Sequence, residues 1–276
     1  MRSQEDQVWY HVDVNSAYLS WTAAYRVCIL GEDLDLRDIP SVIGGSEAER
    51  HGIVLAKSGS AKRYGIRTGE TLAEARCKCP GLVIVPPDYS LYVSCSKALV
   101  ELLKKYFPHV HQYSIDEAFC RVEGTKGLWG THTAFAHQLK EEIRRELGFT
   151  VNIGVSDCKL LAKMASEFQK PDQVHTLFTR EIERKMWPLP VSDLFWVGPA
   201  TVRKLGALGI RTIGELAVMD LELLKRHLKK QGEFIWNYAN GRDVSPFLRE
   251  LPRNKGYGNS MTTPFDVTDR ETAWQV

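Results

Sequence analysis

The sequence predicts an α+β fold: a mixed or antiparallel sheet with helices packed on one side, a small inserted subdomain, and a helical second half. Three observations carry this. The run Val8-Trp9-Tyr10-His11-Val12 is rich in β-branched and aromatic residues and leads into Asp13. Asp116 and Glu117 stand side by side between two further strand-type runs, Val110–Tyr113 and Ala118–Val122. Past Pro171, residues 194–210 read as short helices joined by a glycine-containing hairpin.

The elements follow in order. Val8 to Val14 forms a strand, and Asn15 or Ser16 caps a helix running through Tyr18, Trp21 and Tyr25. From Leu30 to Cys79 short apolar pieces alternate with glycine and charge, including the basic stretch 57–67, which reads as an inserted subdomain. Leu82–Val85 is a short buried strand stopped by Pro86-Pro87, and a helix follows over 89–106. A helix over 131–147 buries Phe135, Leu139 and Ile143, at helical spacing. Val151–Val155 is a strand, and Ser156 caps a helix whose inner face is Leu160, Leu161, Met164, Ala165 and Phe168. Pro171 ends that helix. Residues 240–256 read as a linker, and a strand begins at Gly256 and runs to Phe265.

Composition excludes several classes. At 276 residues there is room for one large domain or two to three small ones. A hydrophobic share of 43% with 25% charged residues matches an ordinary globular protein, and no run reaches membrane-spanning length. The formal charge of +2 is too small to establish nucleic-acid binding without clustering. Six cysteines are scattered, and Cys77-Lys78-Cys79 is too tight for a zinc pair, so reduced thiols in the cytoplasm are expected. Residues 1–6 lack the apolar core of a signal peptide.

Asp13, Asp116 and Glu117 admit two readings: a solvated acidic hairpin tip, or the oxygen ligands of a two-metal phosphoryl-transfer site. Successive strand side chains point to opposite faces, so the second reading requires the backbone to turn between Ser114 and Glu117. The 194–210 segment is either an ordinary helical turn or a helix-hairpin-helix. In the latter, backbone N–H groups near Gly198 and Ala200 would hold a phosphate, with Arg203, Lys204 and Arg211 adding charge.

Four blocks resemble the Y-family DNA polymerases of the bacterial DNA polymerase IV type. They are His11–Tyr18, Tyr113–Phe119, Gly154–Ser166 continuing to Lys170-Pro171, and the helix-hairpin-helix at 195–210. The resemblance implies a palm over 1–27 and 80–170, fingers over 28–79 and a thumb over 171–240. A linker over 241–255 and the start of a DNA-gripping little finger over 256–276 would follow. It implies two Mg²⁺ ions, replaceable by Mn²⁺, held by Asp13, Asp116, Glu117 and the carbonyl of Val14. Tyr18 takes the place of the family's steric gate against a 2′-hydroxyl. Lys170 matches the lysine that contacts the triphosphate, and Gly198, Ala200, Arg203 and Lys204 would meet DNA. In the fingers, Gly59 and Lys62 stand where many members carry Tyr and Arg, so Lys62 keeps a charge for the nucleotide but no bidentate fork.

The expected activity is template-directed addition of deoxynucleotides to a primer 3′-hydroxyl, with low fidelity and translesion synthesis. The expected partners are primer-template DNA, deoxynucleoside triphosphates and a sliding clamp reached through a region C-terminal to this sequence. The protein is expected to act as a monomer, without a membrane. Because only the start of the little finger is matched, synthesis is expected to be weak and distributive. Two rival readings account for less of the sequence. A nucleotide cyclase has no use for a helix-hairpin-helix. A catalytically silent DNA-binding repair accessory protein has no need of an acidic cluster whose self-repulsion costs stability.

Overall fold

The structure, a computed structural model, describes residues 7–46, 52–123, 130–243, 256–258, 260, 263 and 265–274. The chain divides into two compact units, Met1–Asn15 with Ser90–Ser245, and Ser16–Tyr89 with Pro246–Val276. In chain order the first half runs β1 (Gln7–Val14), α1 (Ala17–Cys28), β2 (Ser41–Gly44), β3 (Val54–Lys57), α2 (Gly59–Arg63), α3 (Leu72–Lys78), β4 (Val83–Val85) and α4 (Tyr89–Lys104). Then come β5 (His109–Gln112), β6 (Glu117–Glu123), α5 (His132–Leu147), β7 (Val151–Ser156), α6 (Lys159–Glu167) and β8 (Val174–Thr176). The remainder is helical: α7 (Ile182–Lys185), α8 (Pro199–Ala207), α9 (Ile213–Ala217), α10 (Leu221–Leu228), α11 (Lys230–Ala239) and α12 (Arg270–Trp274).

The first unit is built on a five-stranded sheet in the order β5-β6-β1-β7-β8. Its central strand β1 is antiparallel to both β6 and β7, and β8 adds in parallel to β7. The mixed sheet expected from the strand runs is therefore present. Alternation along β1 sorts its neighbours by face. Tyr10 meets Phe107 and Phe135, which places α5 on one face. His11 bonds to Ser166, which places α6 on the other, the face that Asp13 shares. Helix α5 forms where its apolar stripe predicts it, with Phe135, Leu139 and Ile143 buried. The Thr131 hydroxyl accepts the Ala134 N–H at its start, and Gly148 closes it with φ of 75°.

Helix α6 is buried along Leu160, Leu161, Met164 and Ala165, and these side chains continue into a core with Leu205, Ile213, Leu224 and Ile235 of the helical region. Its start differs from the expected one. Ser156 remains in β7, its hydroxyl donating to the Leu177 carbonyl at 2.6 Å, and the helix begins two residues after Asp157 with Cys158 as the capping position. The serine that reads as a cap is spent tying β7 to the segment after β8.

In the second unit, β2 pairs antiparallel with β3 and parallel with β4. The strand expected over 82–85 thus belongs to this smaller sheet. Val42, Val54, Ile66, Leu72 and Ala75 are buried beneath it. Thr71 and Glu74 form a reciprocal capping box at the start of α3. The linker expected over 241–255 falls almost wholly outside the described residues. Of the strand expected from Gly256 to Phe265, the six described residues, 256–258, 260, 263 and 265, are not in a strand, and the other four lie outside the described residues.

Candidate active site

The pairing register brings two distant carboxylates together. Asp13, near the end of β1, lies directly opposite Glu117, the first residue of β6. Directly opposed residues of an antiparallel pair project to one face. The chain between β5 and β6 makes the turn that the Asp-Glu pair requires: Tyr113 and Ser114 both donate their N–H to the Glu117 carbonyl, at 2.9 and 3.2 Å. Asp116 sits in that turn. Its carbonyl accepts the Val14 N–H at 3.1 Å, and its carboxylate accepts from the Ser114 hydroxyl at 2.7 Å. Val14, Asp116, Asp13 and Glu117 are therefore joined at one corner of the sheet.

Two lysines from the α6 region reach this corner. Lys170 Nζ lies 2.8 Å from Asp13 Oδ2 and 3.0 Å from Glu167 Oε2. Lys163 Nζ lies 2.8 Å from Glu117 Oε2. Lys170 was expected here; Lys163 was not. Lys163 is 6% exposed and packs over the rings of Tyr113 and Phe195, 5.7 and 5.1 Å from their centroids. In sequence it is only a lysine four residues before Glu167, an ordinary helical i,i+4 pair, so nothing there singles it out.

Asn15 and Asn152 fix the segment that carries Lys170. The Asn15 amide donates to Asn152 Oδ1 at 3.0 Å, and Asn15 Oδ1 accepts the Asp172 N–H at 2.9 Å. Asn152 in turn donates to the carbonyls of Ser166 and Gln169.

Burial and charge set the ionisation of the site. Burial pushes the Asp13 carboxyl up to about 7 against the pull of Lys170, and Glu167 and Glu117 add to the rise. Burial would also raise Glu117, yet its contacts with His11 and Lys163 hold it down at about 2. Lys163 is the stronger partner at neutral pH. The Ser166 hydroxyl donates to the Lys163 carbonyl at 2.7 Å, so it must accept from His11 Nδ1 at 2.8 Å. Neutral His11 then turns its Nε2 lone pair toward Glu117 Oε2 at 3.3 Å. Burial holds His11 at about 4, so it offers Glu117 a proton only in acid.

These contacts give an expected outcome for Lys163→Met, which keeps the chain's bulk and removes the ammonium. Glu117, with its folded value near 2 below the ordinary 4.5, stabilises the fold above 4.5 and loses that contribution as pH falls toward 2. The variant should have a lower melting midpoint at neutral pH and a shallower loss of stability between those two pH values. An unchanged midpoint and acid profile would show that Lys163 does not hold Glu117.

Tyr18 and Lys62 belong to the second unit: the Tyr18 ring packs against Trp21 and Tyr89, and Lys62 is exposed in the last turn of α2. Gly59 opens α2 with open space around it. In the helical region a 3-10 turn, Val191–Asp193, immediately precedes the hairpin and α8 follows it. Gly198 caps α8, Pro199 fills its first position, and Gly198, Ala200, Arg203 and Lys204 are all exposed.

Asp13, Asp116, Glu117 and the backbone of Val14 supply hard oxygen donors of the kind Mg²⁺ prefers. Among the described residues no three His, Cys, Asp or Glu side chains converge as a ready cation cluster. Asp116 instead faces Ser114, while lysines hold Asp13 and Glu117. Among the described residues no helix is long and apolar enough to cross a membrane.

The family described as impB/mucB/samB matches residues 12–167. The chain is 52% identical to DNA polymerase IV of Clostridium acetobutylicum, over 98% of this chain and 68% of that protein. It is 41% identical to DNA polymerase IV of Acetivibrio thermocellus, over 96% and 65%. It is 35% identical to DNA polymerase IV 1 of Bacillus subtilis, over 97% and 63%. The chain thus spans about two thirds of the length of these curated relatives. The fold matches the crystal structure of DinB from Sulfolobus solfataricus with a TM-score of 0.74 at 21% identity, over 87% of this chain and 68% of that one. A Y-family DNA polymerase chimera of Dbh and Dpo4 matches with a TM-score of 0.76 at 20% identity, over 89% and 70%.

Proposed function

The chain belongs to the impB/mucB/samB family, and from that premise we propose that it is a template-directed DNA polymerase of the Y family. It would add deoxynucleotides to a primer 3′-hydroxyl in low-fidelity translesion synthesis during DNA repair. The observation that carries this reading is the register that sets Asp13 against Glu117 with Asp116 in the adjoining turn. A silent DNA-binding protein would have no use for that arrangement, because its carboxylates need two lysines to hold them.

In this reading Asp13, Asp116, Glu117 and the Val14 carbonyl hold two divalent cations, Mg²⁺ by the hardness of the donors, with Mn²⁺ as a substitute. When bound, such ions lower the pKa of the attacking hydroxyl and neutralise charge on the triphosphate. The protein's own residues do the rest. Lys170 is positioned by Asn15 and Asn152 to contact a triphosphate, and it trades Asp13 for a phosphate oxygen. Tyr18 lies against the sugar of the incoming nucleotide, and Lys62 adds charge from the fingers. Residues 1–27 and 80–170 act as palm, 28–79 as fingers and 171–240 as thumb. Gly198, Ala200, Arg203 and Lys204 hold the DNA backbone without reading its sequence. The enzyme works as a cytoplasmic monomer, and a sliding clamp recruits it.

Single-nucleotide primer extension at low salt with Mg²⁺ tests the proposal. The protein should extend according to the template base, and Asp116→Ala should abolish extension while leaving primer-template binding within about twofold. Extension that persists in Asp116→Ala, or DNA binding with no extension by the unaltered protein under Mg²⁺ or Mn²⁺, would overturn it.

A further inference from the structure

Trp196 is held in a conformation that suits glycine. Its φ is +70°, one of four positive values among the described non-glycine residues. For a bulky side chain that region is sterically costly, through the clash of Cβ with the following carbonyl. The side chain is also left outside the core, at 59% exposure. A residue that gains so little burial from an unfavourable backbone is not explained by folding.

The surroundings fix the indole in place and leave it open. Phe195 and Phe234 back it at centroid distances of 5.4 and 6.4 Å, the second edge-on at 85°. Phe234 in turn packs on buried Tyr238 at 4.2 Å. The Phe195 N–H donates to Met164 Sδ, and Gln231 Nε2 donates to the Trp196 carbonyl at 3.2 Å. Gln231 directly follows Lys229 and Lys230 at the start of α11, and α8, just past the hairpin, carries Arg203 and Lys204. All four cations are exposed, and none of them enters an ion pair among the described residues. Lys225, by contrast, is paired with Glu222 and Glu233.

An exposed, aromatic-backed indole, near in the chain to Arg203 and Lys204 and bonded through its carbonyl to the helix that opens with Lys229 and Lys230, matches a polyanion that also presents apolar rings. We propose that Trp196 is a DNA-contacting residue. It lays its indole on a deoxyribose of the duplex backbone, while Lys229, Lys230, Arg203 and Lys204 engage the flanking phosphates. The strained backbone is kept because it aims the ring outward. This inference rests on the DNA-binding reading above and assigns a nonpolar contact that the helix-hairpin-helix pattern does not supply.

Fluorescence anisotropy on fully paired duplex DNA over a salt series tests it, with Trp196→Gly, Trp196→Phe and Arg203→Gln as variants. Trp196→Gly should bind about tenfold more weakly, the effect of losing one well-packed aromatic contact. Its slope of log affinity against log salt should be unchanged, because no phosphate contact is lost. Its melting midpoint should equal or exceed that of the unaltered protein, since glycine accepts the backbone without strain. Trp196→Phe should retain most of the affinity, whereas Arg203→Gln should lower the salt slope by about one. Equal duplex binding by Trp196→Gly and the unaltered protein would overturn the inference and leave the DNA-binding reading standing. So would a midpoint several degrees lower, which would make Trp196 a packing residue. If the unaltered protein binds no duplex at low salt, the DNA-binding reading falls and takes this inference with it.

Discussion

Gly154→Ala is expected to cost at least about 3 kcal/mol of stability and to dismantle the candidate active site without touching any of its side chains. Gly154 lies in β7, directly opposite His11 of β1, on the face covered by α6. A Cβ there would stand 1.9 Å from the Ala162 carbonyl oxygen and 2.6 Å from the Ser166 nitrogen. Both are backbone atoms of α6, so no rotamer change relieves the clash and the helix must lift from the sheet. Lifting α6 stretches the 2.8 Å contact of Lys163 with Glu117 and the 2.8 Å bond of His11 with Ser166. It also disturbs the core that α6 shares with the helical region. Gly59→Ala is the matched control: a Cβ at that first helical residue meets nothing within 4 Å. It should be neutral or stabilising by about 0.5 kcal/mol, through the lower entropy of the unfolded chain. Urea denaturation of the two variants measures both effects. A Gly154→Ala midpoint within experimental error of the unaltered protein would mean that α6 does not press on β7 as described.

The same contacts explain what the sequence made legible. Strand β1 was readable because β-branched and aromatic residues persist along a strand buried on both faces, and α5 and α6 were readable because their stripes keep helical spacing. The turn at Ser114–Glu117 followed from side-chain alternation alone, once Asp116 and Glu117 were asked to serve one site. Other features depend on partners remote in sequence. Strand β8 is three residues long and exists through its pairing with β7, below the length at which periodicity can be seen. Leu82–Val85 reads as buried, but nothing in four apolar residues tells which sheet they join. Ser156 has the chemistry of a helix cap, and only the Leu177 carbonyl, brought close by β8, draws it away. Lys163 looks like any helical lysine until the turn supplies Glu117 and Tyr113 and the segment before α8 supplies Phe195. Trp196 reads as one more aromatic in a hairpin, because φ is not written in residue type.

Asp13→Asn should abolish primer extension and, at neutral pH, make the protein more stable. The functional half follows from the proposed function: with Asp13 as one of the proposed cation ligands, its loss is expected to lower the extension rate by roughly a thousandfold or more, the several kcal/mol such ions contribute. The stability half follows from burial. Asp13 is 6% exposed, and its folded value near 7 stands above the ordinary 3.8. Between those values the folded chain keeps a proton that the unfolded chain has released, so stability falls as pH rises through this window. Asparagine has nothing to ionise and escapes the fall, while Lys170 keeps its contact with Glu167 at 3.0 Å. The two proteins should therefore melt alike near pH 4 and diverge toward pH 7.5, with the variant higher. The comparison requires a chelator, because a bound cation would stabilise the unaltered protein by mass action. Retained extension would remove Asp13 from the catalytic set. A variant that melts lower at pH 7.5 would mean that the Lys170 contact outweighs the burial of Asp13, and that this carboxylate belongs to the fold as much as to the chemistry.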